Sequence, residues 1–240
     1  MSGRPAEISP KSYARVGGAL YLIIIAAGLF AEMLRDRLVV SGDAAATASN
    51  IMASEPLWRL AFAGEQVMLL CDVGVTLILY VLLKPVNRNL ALLAAFFRLV
   101  SIVIEGINTL NHLAAVLFLG GAGYLTAFPP PQLQALALLS VKLHGHGYGI
   151  SLVFFGVHCL FLGYLIFRSG YFPRVLGVLL ATAGPCYLIN SFALFLAPTF
   201  AARIFPAILI PAGLAEYLFC MWLLVRGLNV QKWNDKASAV

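Results

Sequence analysis

Ionisable and hydroxyl side chains recur every seven residues in three apolar stretches of the chain. The three series are Glu65 and Asp72, then Arg98, Glu105 and His112, and last His144, Ser151 and His158. Because seven residues are close to two turns of an α-helix, the members of each series share one helix face. Three such faces that align inside a helical bundle would form a common polar interior.

The depth of these residues follows from their distance to the ends of the stretches, at about 1.5 Å per residue. Near the middle of their helices lie Asp72, Glu105, His158 and Glu216. Nearer one end, the outer end, lie Glu32, Glu65, His112, His144 and His146. We therefore expect a layer of polar groups near the membrane midplane and a second layer toward the outer face.

Several carboxylates deep in one bundle, with a single Arg to neutralise them, require protons, a metal ion or a cationic ligand. We predict a polar cavity lined by Asp72, Arg98, Glu105, Asn108, His158, Asn190 and Glu216. The alternative is purely structural pairing, in which Arg98 binds Glu105 or Asp72 and the other polar groups hydrogen-bond between helices.

His and carboxylate side chains that converge from different helices could also bind zinc or a similar divalent ion. The best candidate ligands are His158, Asp72, Glu105 and Glu216, and the outer alternative combines His112, His144 and His146 with Glu32 or Glu65. His144 and His146 diverge on a helix, so they chelate together only if that segment is unwound. The chain has no H-E-x-x-H motif, nucleophile elbow or phosphate loop, so the sequence identifies no catalytic residue.

The composition places these groups in a membrane. Of 240 residues, 61% are hydrophobic and 11% are charged, with a mean hydropathy of +0.92. Soluble domains are about 45–50% apolar and about 25% charged, so a soluble enzyme, a disordered tail and a disulfide scaffold are excluded. The net charge of +6 is not gathered into a basic stripe with aromatic residues, so we expect lipid and no nucleic acid as partner.

Six apolar stretches have the length of about 20 residues that a bilayer span requires. They cover residues 16–33, 60–83, 90–119, 144–167, 175–196 and 204–228. We predict an all-α, polytopic bundle of six transmembrane helices in one membrane domain of residues 1–240.

Two long outer loops, 34–59 and 120–143, are predicted between the spans. In the first, Asp43 caps a short Ala-rich helix. In the second, the Pro129–Pro131 run stops any helix, and Leu133–Val141 forms an interfacial or re-entrant segment. Such loops either form a lid or vestibule, or merely cover helix ends.

The basic residues predict the orientation. Ten of the 16 Lys and Arg residues fall on the side of the termini, five fall on the other side, and Arg98 lies within a span. Cytoplasmic loops are enriched in Lys and Arg, so both termini are predicted to be cytoplasmic.

Several segments carry a resemblance to a known family. They are Gly42–Ile51, Leu70–Val73, Leu90–Leu99, Leu152–Cys159 with Phe167–Arg174, and Tyr187–Phe192. These segments resemble a bacterial membrane family catalogued as a domain of unknown function, number 4386, over about residues 12–228. The resemblance includes Asp72, Arg98, His158 and Asn190. It implies a six-helix protein of the bacterial inner membrane and implies no activity.

Three functions fit these observations. The preferred one is a protein, homodimeric because six helices are few for a transporter, that binds or moves a proton, a cation or a small polar ligand. The second is a metal-dependent intramembrane hydrolase acting on a lipid, in which His158 and the carboxylates hold the ion. The third is a structural membrane subunit whose polar residues pair internally.

Overall fold

The computed structural model describes residues 9–239, and this part of the chain contains helices and no strand. The α-helices are α1 (Pro10–Leu38), α2 (Ala44–Ala53), α3 (Glu55–Leu83), α4 (Arg88–Leu119), α5 (Pro130–Ser169), α6 (Arg174–Leu196), α7 (Pro198–Ile204), α8 (Ile210–Val225) and α9 (Val230–Ala237). Helices α1, α3, α4, α5, α6 and the segment Ala207–Val225 are long and apolar enough to cross a membrane. The predicted all-α bundle with six membrane helices is confirmed.

Large apolar side chains cover the outside of the bundle. On α3 and α4, Leu70, Leu77, Val103, Ile107 and Leu110 are each more than half exposed. Buried positions of the same helices carry ionisable and amide groups. The outward face is therefore suited to hydrocarbon, and the polar groups contact protein.

Helix α5 corrects the prediction for the second outer loop. It begins at Pro130 and continues for 40 residues to Ser169, so Leu133–Val141 is regular helix and not an interfacial or re-entrant segment. Proline is well tolerated at the first helical position because its missing N–H has no intrahelical partner there, so the proline run starts this helix instead of stopping one. His144 and His146 consequently lie on continuous helix, without the unwound segment that joint chelation requires.

The first of the two loops predicted to be outer folds over one end of the bundle. Its helix α2 is capped by Asp43, whose side chain accepts a hydrogen bond of 2.9 Å from the backbone N–H of Ala46, as predicted. One buried apolar cluster comprises Ile51, Trp58, Ala115, Val116 and Ala137. The loop thus covers the helix ends of α3, α4 and α5.

Glycines allow α5 and α6 to approach closely. A Cβ atom on Gly163 would lie 2.4 Å from the backbone N of Ala181, and one on Gly177 would lie 2.6 Å from the backbone N of Phe167. Small residues at such contacts let helix backbones pack directly in a membrane. This packing fixes the position of α5, which carries three of the predicted site residues.

Candidate functional site

Polar side chains of α1, α3, α4 and α5 meet toward the end of the bundle that the sequence analysis predicts to be the outer one. We call this group the outer cluster, and it consists of Glu32, Arg35, Glu65, Glu105, Asn108, His112 and His144. Glu65, His112 and His144 are each at most 3% exposed. The cluster therefore places ionisable groups in a buried environment, where each needs a partner.

Arg35 bridges two carboxylates of the outer cluster. Its Nη1 donates to Glu65 Oε1, and its Nη2 donates to Glu32 Oε2 at 2.5 Å. The Arg35 side chain is 16% exposed and that of Glu32 is 51% exposed. Glu32 forms the rim of the cluster, and Arg35 and Glu65 lie behind it.

The backbone and indole of Trp58 orient the ring of His112. Its Nε2 lies 3.1 Å from the carbonyl oxygen of Trp58, which can only accept, so Nε2 carries the proton. The indole N–H of Trp58 in turn donates to the carbonyl oxygen of His112 at 3.1 Å. This reciprocal pair holds the ring so that Nδ1 faces both carboxylate oxygens of Glu65, 3.2 Å from Oε1 and 3.1 Å from Oε2.

His144 lacks the hydrogen bond that a buried imidazole normally makes. Its Nε2 has no hydrogen-bond partner, although it lies 3.8 Å from Glu65 Oε1 and 3.7 Å from Glu105 Oε1. Glu65 Oε2 also lacks a partner of hydrogen-bond geometry. Unsatisfied buried polar atoms are rare and call for an explanation, such as a bound ion.

One group of His and carboxylate side chains within residues 9–239 has the geometry to hold a metal ion. Glu65, His112 and His144 each offer a ligand atom, and these atoms lie within 4.8 Å of one another. Of the outer set of candidate metal ligands in the sequence analysis, these three residues lie close enough to share one ion. His146 is exposed, and its Nδ1 lies 2.9 Å from the carbonyl oxygen of Lys142 on its own helix.

Asn108 connects Glu105 to the outer cluster. Its amide donates to Glu105 Oε2 at 3.2 Å and to the carbonyl oxygen of His144 at 2.9 Å. The absence of a side chain at Gly147 permits this contact, because a Cβ atom there would lie 2.0 Å from Asn108 Oδ1. Glu105 therefore contacts the outer layer, not the midplane set in which the sequence analysis placed it.

A second polar group, the Arg98 cluster, lies deeper in the bundle and draws a residue from every membrane helix. Its members are Tyr21, Asp72, Arg98, His158, Tyr187 and Glu216. Arg98 Nε donates to Asp72 at 2.5 Å, and Nη1 lies 3.1 Å from His158 Nε2. Because His158 Nδ1 lies 2.9 Å from the carbonyl oxygen of Ala94, it carries the proton and Nε2 accepts from Arg98.

Tyrosines complete the Arg98 cluster. Tyr21 and Tyr187 both donate their hydroxyl protons to Glu216, the first at 2.7 Å. The guanidinium of Arg98 lies 5.2 Å from the ring centres of both Tyr21 and Phe155. Every charged group of this cluster thus has a partner within it.

The four metal ligands preferred in the sequence analysis do not meet at one site. Asp72 and His158 bind Arg98, Glu216 binds two tyrosines, and Glu105 joins the outer cluster. Asn190 is half-buried on α6 and is not a member of either cluster.

Sequence reasoning missed Arg35, Tyr21, Tyr187 and Trp58. Arg35 had been assigned to a loop, although its spacing of three residues from Glu32 predicts a contact if the helix continues. The two tyrosines and Trp58 carry no local signal, because their roles depend on residues of other helices.

The family model of the Domain of unknown function (DUF4386) matches residues 16–227. The chain belongs to this family. A protein of Archaeoglobus fulgidus with the name "Uncharacterized protein" is 26% identical over 174 residues, which make up 72% of this chain and 86% of that protein. No solved structure matches the chain. Both polar clusters of this DUF4386 protein fall within the matched residues.

Proposed function

We propose that this membrane protein binds a divalent transition-metal ion in its outer cluster, with Glu65, His112 and His144 as ligands. The observation that carries the proposal is the buried Nε2 of His144, which has no partner and faces the ligand atoms of the other two residues. The sequence predicts a protein that binds or moves a proton, a cation or a small polar ligand. The proposed metal ion corresponds to the cation among these three.

The chemistry of the three donors favours zinc or a similar ion. Two imidazoles and one carboxylate are a common ligand set for Zn²⁺, and such a set leaves a fourth position for water or substrate. Metal-bound His residues usually donate their other ring N–H to a carbonyl or carboxylate. His112 has this arrangement, because its Nε2–H points at Trp58 while Nδ1 faces Glu65.

The charge of the outer cluster supports the same conclusion. Glu65 and Glu105 are buried, whereas the Glu32 side chain is 51% exposed. With Glu65 and Glu105 ionised, Arg35 supplies one positive charge for two buried carboxylates. The remaining negative charge is costly at a buried site, and a bound cation would lower that cost.

We further propose that the protein lies in the bacterial inner membrane with both termini in the cytoplasm. In that orientation the ends of α1 and α4 and the beginnings of α3 and α5 face outward. The ion then reaches Glu65 from the outer face, past the exposed carboxylate of Glu32.

Metal analysis of the detergent-purified protein tests this proposal. Wild type, His144→Ala and Glu65→Gln are purified without chelators, incubated with Zn²⁺ or Co²⁺ and separated from free ion. We expect about one ion per chain in wild type and loss of the ion in both variants. Bound Co²⁺ should also show the visible absorption of a four-coordinate site.

Two control variants make the result specific. His146→Ala removes an exposed imidazole two residues from His144, and His158→Ala removes one from the Arg98 cluster; both should retain the ion. Thermal unfolding and size-exclusion elution check that each variant is folded. Absence of metal in wild type after addition of Zn²⁺ and Co²⁺, or equal loss in His146→Ala, would overturn the proposal.

One observation favours a second function, the metal-dependent hydrolysis of a lipid. Glu105 lies 3.7 Å from His144 Nε2, beside the proposed ion, where its carboxylate could accept a proton from metal-bound water. The Zn²⁺-loaded protein in phospholipid vesicles should then release fatty acid or headgroup. Glu105→Gln should abolish release while the ion remains bound, and no release by wild type contradicts this function alone.

A further inference from the structure

The guanidinium of Arg35 lies against two of the three proposed metal ligands. Its Nη1 donates to Glu65 Oε1 and lies 3.4 Å from His112 Nδ1. The same nitrogen therefore binds the carboxylate and the imidazole nitrogen that the ion would use. Arg35 supplies the positive charge of this site in the present structure.

A metal ion and this guanidinium cannot both hold the same ligand atoms. Arg35 remains protonated at any ordinary pH, so a divalent ion beside it meets a like charge at short range. His112 Nδ1 has a single in-plane position for a partner, so a metal ion bound there would displace Arg35 Nη1 from that nitrogen. Metal binding is thus incompatible with the contact between Arg35 and His112 Nδ1, and the like charge of the ion also opposes the contact between Arg35 and Glu65.

Arg35 has a second carboxylate to which it can move. Glu32 lies one turn earlier on α1 and binds Nη2 at 2.5 Å, and its side chain is 51% exposed. Arg35 itself is three residues from the end of α1 at Leu38. A rotation of the side chain toward Glu32 therefore takes the guanidinium to the rim without any movement of the helix.

We propose that Arg35 is an exchangeable counter-cation, which neutralises Glu65 until a metal ion displaces it to Glu32. This inference rests on the proposed metal site. Arg35 sets the affinity of the site by competition, and Glu32 assists binding because it holds the displaced guanidinium. Arg35 competes with the ion and is not one of its ligands.

Two opposite changes in metal affinity follow. Arg35→Gln removes the competitor and should lower the Kd for Co²⁺ and Zn²⁺ at least tenfold. Glu32→Gln removes the alternative partner of Arg35, leaves the guanidinium on Glu65, and should raise the Kd several-fold. A merely structural role of Arg35 predicts weaker binding in both variants.

Isothermal titration of the full chain in detergent with Co²⁺ and Zn²⁺ measures these changes. The matched control is Arg37→Gln, which removes an exposed charge two residues away on α1 and should leave the Kd unchanged. If Arg35→Gln does not fold, Arg35→Lys replaces it, because a single ammonium cannot bridge both carboxylates and should compete less. A Kd in the folded Arg35 variant that equals or exceeds that of wild type overturns the inference.

A second measurement uses the unaltered protein. Phenylglyoxal modifies accessible guanidinium groups, and mass spectrometry reports the extent of modification at each Arg. Added Co²⁺ should increase modification of Arg35, which moves to the rim, and leave Arg37 unchanged. If wild type binds Co²⁺ without this increase, the inference about Arg35 fails and the metal site stands. If neither wild type nor any variant binds the ion, the proposed function fails.

Discussion

Arg98 is the most deeply buried charge of the protein among residues 9–239, at 1% exposure. It contributes a hydrogen bond to each of two neighbours, Asp72 and His158, and its flat faces lie near aromatic rings. A guanidinium at this depth is tolerated because its partners replace the water it has lost. Removing one partner leaves the others with an uncompensated charge.

Asp72→Asn should therefore destabilise the protein strongly. Breaking a buried ion pair by removing one partner costs roughly 3–5 kcal/mol, whereas an exposed pair contributes about 0–1 kcal/mol. Thermal unfolding in detergent should show a much lower midpoint for Asp72→Asn than for Glu55→Gln, which breaks the exposed pair of Glu55 and Arg59. Comparable midpoints for the two variants would show that the Arg98 cluster does not hold the bundle together.

The same variant separates the two clusters. Because Asp72 contacts Arg98 and not the outer ligands, folded Asp72→Asn should still bind one metal ion. Stability and metal binding then belong to different sets of residues, at different depths of the bundle.

At the scale of helices, the contact of α5 with α6 is made by backbone against backbone. Four glycines, each seven residues from its partner on the same helix, line this contact: Gly156 and Gly163 on α5, and Gly177 and Gly184 on α6. Their spacing keeps them on one face, and the absence of side chains brings the helix axes together. The rotation of α5, and with it the direction of His144, depends on this contact.

Gly163→Ala should lower stability and disturb the metal site. The added methyl group would lie 2.4 Å from the backbone N of Ala181, which cannot yield without moving α6. The control is Gly145→Ala on the same helix, where an added Cβ meets no atom within 4 Å. Thermal unfolding and Co²⁺ titration of both variants should show a defect in Gly163→Ala only, and an equal defect in both would point to a general effect of replacing helical glycine.

At the scale of the whole molecule, the polar groups form two levels within one bundle. The Arg98 cluster joins all six membrane helices, and the outer cluster joins α1, α3, α4 and α5. Between the levels, Ser101 Oγ lies 2.9 Å from Ser151 Oγ, which links α4 to α5. The bundle thus contains two polar levels within a largely apolar core, and its exterior is apolar as well.

The orientation of this bundle can be measured with reporter fusions. A fluorescent protein that folds only in the cytoplasm should fluoresce when fused after Val240, and alkaline phosphatase, active only outside, should be active when fused after Gly121. The excess of Lys and Arg on the side of the termini is the physical reason. The opposite pattern would place the outer cluster at the cytoplasmic face, and the proposed ion would then come from the cytoplasm.

The sequence by itself determined the class of the protein and the inward faces of its helices. Long apolar stretches and intervals of seven residues are local properties, because hydrocarbon selects apolar length and the helical repeat sets which residues share a face. The candidates Asp72, Arg98, Glu105, His112, His144 and His158 followed from these properties alone. The start of α5 did not, because a proline run can end one helix or begin another.

Only the tertiary structure decided which of these residues meet. Residues seven apart share a face but differ in depth by about 10 Å, and Arg98 and His112 lie two such intervals apart, so they enter different clusters. The axial shift of each helix against its neighbours then selects the partners, and no local pattern encodes that shift. These axial shifts placed Glu105 beside His144 and brought Arg35 to Glu65. They also left His144 Nε2 without a hydrogen bond, and the proposed metal site rests on that observation.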